Sequence, residues 1–181
     1  MLELIRRRDE VFSEKIKNVI YVYSEYQKPF DDVKDVLFTN SLEEMEKSAK
    51  PKSLIIFDDL QSDFIGKQNT VISDWFTKLS HHRDISVLLI LQNAFEKKLR
   101  TVAINTQYLF FFNLIRDQST IVQIAKQFCP GKSKYLLDAY KRATSKRFGY
   151  LMFNFHPLGD SVFRVRSCLY PTPDCELYTP E

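Results

Sequence analysis

Glycine is scarce in these 181 residues, occurring four times, and cysteine scarcer still at three, with a single tryptophan. So few glycines leave no flexible low-complexity linker, and the chain shows no internal repeat. Cys129, Cys168 and Cys175 are odd in number and form neither a C-x-x-C pair nor a combination with histidine at metal-ligand spacing. They read as reduced, structural residues of an intracellular protein. No stretch approaches the ~20 apolar residues of a membrane span. The opening Met1-Leu-Glu-Leu-Ile-Arg-Arg-Arg8 carries charge where a secretory signal needs an apolar run. There is little charge imbalance either: 26 basic against 23 acidic side chains give a net charge of +3, so attraction to nucleic acid must come from local patches.

What remains is ordinary globular material, 44% apolar and 27% charged, far from the composition of disordered chains. The length suits one domain with a sizeable core, read here as residues 1–171 followed by an irregular, proline-bearing tail over 172–181. Leu2 to Phe12 has the spacing of an amphipathic helix without a cap before it, as though entered midway. Asn18–Ser24, Ser53–Phe57 and Ser86–Leu91 are β-branched or near-continuous apolar runs, suited to strands buried on both faces. Helical patterns at Leu42–Lys47 and Val71–Leu79 lie between them, and the alternation predicts an α/β sheet with parallel strands. Tyr108–Phe112 reads as a further strand, Thr120–Phe128 and Ser133–Thr144 as helices parted by Pro130-Gly131, and Tyr150–Phe155 with Val162–Leu169 as a β-hairpin turning at His156–Asp160.

The segment richest in chemistry is Leu54-Ile-Ile-Phe-Asp-Asp-Leu60, an apolar strand ending in adjacent carboxylates, which is the Walker B arrangement. A strand end holds Asp58 where it can orient water around Mg²⁺, while Asp59 can polarise an attacking water. The same pattern arises wherever a buried strand runs into a turn. Ser80–Asn93 is a polar loop feeding a buried strand that ends in two amides. Gln92 could sense a γ-phosphate beside the Walker B strand, or Gln92 and Asn93 could simply cap the strand. His81 and His82 read as loop residues; adjacent histidines diverge, which disfavours a shared metal. Lys132, Lys134, Lys141, Arg142, Lys146 and Arg147 form a basic cluster suited to a DNA backbone or to a solvated helix face.

The phrase Ser80-His-His-Arg-Asp-Ile-Ser-Val87, then Leu91-Gln-Asn93 and Arg100-Thr101, resembles the packaging ATPases of Polinton/Maverick and adintovirus-type elements, members of the FtsK/HerA group. So do Pro130-Gly-Lys-Ser-Lys134, Leu136-Leu-Asp-Ala139, Gly149-Tyr-Leu151 and Tyr23-Ser-Glu-Tyr-Gln27, and the resemblance runs from about Ile16 to Pro171. It implies a P-loop NTPase sheet of the RecA/ASCE type sandwiched by helices, with ATP and Mg²⁺ as cofactors. It also implies a homo-oligomeric ring that moves double-stranded DNA into a capsid, with capsid or portal proteins as partners, in a host nucleus, a virus factory or the virion. Carried over, Asp58 would hold Mg²⁺ through water, Asp59 would be the catalytic base, and Gln92 the sensor, supported by Asn93. Arg100 or Arg116 would act on a neighbouring subunit's phosphates, or each would form a surface salt bridge. Asn113-Leu-Ile115, before Arg116, departs from the family's usual Lys-Asn-Pro.

The phosphate-binding loop and its strand are missing. Such a loop needs glycines, a lysine and a serine or threonine opening a helix, and nothing before the Walker B strand fits. Pro130-Gly-Lys-Ser133 lacks the earlier glycine and follows a helix. The resemblance therefore implies an amino-terminally truncated body, less stable than a version extended upstream because apolar strand edges are exposed. Two further readings stay open: a non-catalytic remnant or interaction module, and a nuclease using Asp58 and Asp59 with Asp63 or Asp74.

Overall fold

The computed structural model describes residues 1–59, 69–91, 100–115, 118–170 and 172–179, which gather into two compact units, Met1–Asn105 and Thr106–Glu181. The first is built on four strands: β1 (Asn18–Tyr23), β2 (Val36–Thr39), β3 (Ser53–Asp58) and β4 (Ile85–Ile90). They lie in the order β2-β1-β3-β4, every pairing parallel. Alternate residues of the inner strands serve opposite faces. Val19, Tyr21, Leu54 and Ile56 join Ile5 and Phe30 in one core, while Ile20, Val22, Ile55 and Phe57 join Met45, Ile72, Trp75 and Val102 in another.

Helices therefore cover both faces, as the sequence predicts. On the first lie α1 (Leu2–Arg6), which supplies Ile5, and a 3₁₀ turn at Lys28–Asp32, which supplies Phe30. The expected single helix over Leu2–Phe12 breaks at Arg7, whose φ of −105° and ψ of 23° separate α1 from α2 (Arg8–Val11). The second face takes α3 (Leu42–Ser48), whose Ser41 side chain accepts from the Glu44 amide as an N-cap. It also takes α4 (Asn69–Asp74), which runs through a π-helical turn at Trp75–Leu79 into α5 (Ser80–Arg83), and α6 (Arg100–Asn105), the source of Val102. His81 and His82 thus stand in a helical turn and not in a loop; Asp84, at φ 55°, ends that turn and lets β4 begin at once.

The second unit is an antiparallel sheet of β5 (Tyr108–Phe112), β6 (Tyr150–Asn154) and β7 (Val165–Arg166), in that order. Helices α7 (Gln118–Phe128) and α8 (Ser133–Ala143) pack on it through Ile121, Ile124, Leu136, Ala139 and Tyr140 against Phe111, Leu151 and Phe153. The expected hairpin is present, but its second strand is shorter than Val162–Leu169. Asp160 accepts from the Val162 amide and winds Ser161–Phe163 into a 3₁₀ turn instead.

Residues past 172 return to the sheet. Leu177 bridges Arg166, the Tyr178 amide donates to the Val165 carbonyl, and the Ser167 amide donates to that of Glu176. This fold-back brings the Cα atoms of Cys168 and Cys175 to 5.3 Å and joins the two as a disulfide, leaving Cys129 free. The reading of all three as reduced cysteines is therefore corrected, and with it the argument for an intracellular location that rested on them. Spacing alone could not show that the tail reverses direction. Alkylation with iodoacetamide under denaturing, non-reducing conditions should modify Cys129 alone, and all three cysteines after reduction. Three adducts without reductant would show that the bridge does not form.

Candidate functional site

The described elements that follow β1 and β3 lie on opposite faces of the sheet. The segment after β1 places Phe30 in one core on its way to β2, whereas the α4–α5 stretch between β3 and β4 places Ile72 and Trp75 in the other. Since β1 and β3 are neighbours, their carboxyl ends flank the point where the winding of the sheet reverses. Open parallel sheets bind ligands at points where the connections part in this way.

Asp58 closes β3 at this place, opposite Tyr23 in the register with β1. Four consecutive residues before it, Leu54 to Phe57, are fully buried, so the strand beneath the carboxylate is fixed from both faces. Asp58 is itself half-buried, and its Oδ2 accepts a 2.6 Å hydrogen bond from the Tyr21 hydroxyl. Asp59 follows at φ 45°, a left-handed conformation that turns the chain off the strand. It is uncommon for a residue other than glycine, though aspartate adopts it more readily than most.

Tyr21 is the site residue that sequence reasoning missed. Its ring belongs to an aromatic group with Phe30 and Phe38, at centroid distances of 5.1 and 5.4 Å. Burial, and then the Asp58 carboxylate, hold its phenol well above the ordinary tyrosine range. The hydroxyl therefore remains a donor to Asp58 throughout the neutral range. The only available signal was positional: Tyr21 lies two residues before the end of a strand flanking β3, and parallel pairing sets such residues close to the neighbouring strand's end. Tyr23, Tyr26 and Phe30 extend the aromatic group, and Tyr26 donates to Asp31.

Of the other expected site residues, Gln92, Asn93 and Arg116 lie outside the described residues, as does Asp63 of the nuclease reading. Arg100 opens α6. Asp74 ends α4 and is not grouped with Asp58: among the described residues no three of His, Cys, Asp and Glu come together as a metal site. A water-mediated Mg²⁺ site makes a smaller demand, because this ion keeps several waters and takes one or two carboxylates plus substrate phosphates. Asp58 and Asp59 fit that limited role. Among the described residues no helix is long and apolar enough to cross a membrane. No family model, curated protein or solved structure matches the chain.

Replacing Tyr21 with phenylalanine should lower stability at neutral pH by about 1 kcal/mol, the usual worth of such a bond. A phenol with a raised folded-state pKa contributes stability that is fully present below about pH 10, the unfolded tyrosine value. That contribution is lost as pH climbs further, because the unfolded chain releases a proton that the folded one keeps. Tyr21→Phe should accordingly lose less stability between neutral pH and pH above 10 than the parent. Denaturant titrations followed by fluorescence of the buried Trp75 measure both effects; the same alkaline loss in both proteins would remove the phenol–carboxylate bond from the account.

Proposed function

We propose that this chain is the body of a DNA-packaging ATPase subunit of the FtsK/HerA type, with Asp58 and Asp59 serving Mg²⁺ and ATP. The observation that carries the reading is the position of Asp58 at the end of a fully buried parallel strand, where the sheet's winding reverses. Tyr21 engages Oδ2 of Asp58, and the carboxylate's second oxygen is the one a metal-bound water would use. Asp59, next in the chain, would accept the proton of a water that attacks the γ-phosphorus. A new P–O bond would form to that water as the bond to the departing ADP breaks.

The partners that follow are double-stranded DNA, capsid or portal proteins and further copies of the chain in a ring. Arg100 or Arg116 would then complete a neighbour's site. The nucleus or a virus factory is where such a motor would act.

A second reading is favoured by one plain fact of the sequence: the first glycine is Gly66, beyond β3. Ahead of the Walker B strand this chain has no residue from which a glycine-rich phosphate cradle is made. The same unit would then serve as a non-catalytic interaction module, with Asp58 held structurally by Tyr21.

Calorimetric titration with ATP, with and without Mg²⁺, separates the two. The ATPase reading expects magnesium-dependent binding that Asp58→Asn weakens at least tenfold while the fold, followed by Trp75 fluorescence, is retained. No binding at millimolar nucleotide, or binding indifferent to both Mg²⁺ and the substitution, would leave the interaction module.

A further inference from the structure

The second unit carries a feature that the nucleotide reading does not use. Between the end of β5 and the turn joining α8 to β6 lies an open pocket of about 490 Å³, lined by Phe112, Asn113 and residues 144–149. Its walls are held by specific bonds. The Tyr140 hydroxyl, on α8, donates to the Phe112 carbonyl and accepts from the Leu114 amide, which ties the end of β5 to the helix. The Thr144 hydroxyl donates to the Tyr140 carbonyl, the Ser145 hydroxyl to that of Arg142, and the Gly149 amide to that of Lys146. Gly149 sits so close to the helix end that an added Cβ would lie 2.2 Å from the Ala143 carbonyl oxygen, so no larger residue fits there without moving the backbone.

This rigid turn presents Phe148 with 77% of its surface exposed and at φ 62°, a conformation disfavoured for a bulky residue. Folding buries little of an aromatic ring at such a place; glycine or asparagine would adopt the backbone more easily. The Arg147 guanidinium lies 4.9 Å from the ring centroid. From Ala139 to Gly149 the chain carries Lys141, Arg142, Lys146 and Arg147 and no acidic residue. Cations favour the end of a helix, which accounts for part of this charge but not for an exposed, strained phenylalanine among it. Phe112, on the far wall, is likewise 53% exposed, with Tyr150 beside it at 5.5 Å between ring centroids.

Exposed aromatic rings fixed among lysines and arginines, at the mouth of an open pocket, match the chemistry of single-stranded nucleic acid. An unpaired base stacks on a ring while its phosphates meet the cations. We infer that the turn 145–149 is a single-strand contact of this chain, with Phe148 the stacking platform and Lys146 and Arg147 the phosphate contacts. A duplex keeps its bases stacked inside and offers the ring nothing equivalent. The inference does not depend on ATP binding: loss of nucleotide affinity in Asp58→Asn leaves it untouched.

Fluorescence anisotropy with labelled oligodeoxythymidylate, oligouridylate of equal length and blunt duplex DNA tests it. Both single strands should bind more tightly than the duplex, and the stronger of the two identifies the strand as DNA or RNA. Phe148→Gly and Phe148→Asn, both suited to the left-handed backbone, should melt no lower than the parent and yet bind single strands roughly tenfold more weakly. Arg147→Ala should reduce the slope of log affinity against log salt by about one phosphate contact. Duplex bound as tightly as single strands, no measurable single-strand binding, or unchanged affinity in both Phe148 variants would each overturn the assignment.

Discussion

Everything in the first unit follows from the burial of β3. Leu54, Ile55, Ile56 and Phe57 point alternately to the two faces and all are shut away from water, while β1 and β4 cover both edges. A strand with no wet side can exist only if apolar helices lie above and below it. Connections on both faces imply crossovers in both directions, and a sheet wound in both directions has a place where its connections part. The carboxylate at the end of β3 stands there because the strand that carries it can run nowhere else. The hydrogen bond from Tyr21 adds a second constraint, since a residue of the neighbouring strand reaches the same carboxylate from a ring packed against both Phe30 and Phe38.

Much of this was legible in the residues. The runs at 18–24, 53–57 and 86–91 have the apolar continuity that parallel burial demands, and they became β1, β3 and β4 within a residue or two. β2 was not expected: Val36–Thr39 is short, half-buried over three of its four positions, and occupies the edge of the sheet, so it lacks the long run that marked the others. Asp35-Val-Leu-Phe-Thr-Asn40 is an apolar stretch bounded by turn formers, with Asp35 at φ 61° supplying the reversal. The break of the first helix at Arg7 and the 3₁₀ turn after Asp160 both follow from single local bonds or dihedrals to which periodicity is blind.

Around the candidate site the division is different. Asp58 and Asp59 were visible because a carboxylate at the end of an apolar run is a local pattern. Tyr21 was not, because its role depends on the parallel register between β1 and β3, a relation between residues 37 positions apart. Cys168 and Cys175 were misread for a related reason: their proximity depends on the return of residues 176–178 along β7, a course set by backbone pairing and not by the identity of any one side chain.

Among the described residues, the hydrophobic cores of the two units draw on contiguous stretches of chain, 1–105 and 106–181. A ribosome delivers residues in order, and the contacts that organise the four parallel strands are all specified before Thr106 is joined. The first half can therefore settle while the second is still being synthesised, so the slow step of pairing distant strands need not wait for, or compete with, the collapse of the carboxyl-terminal half.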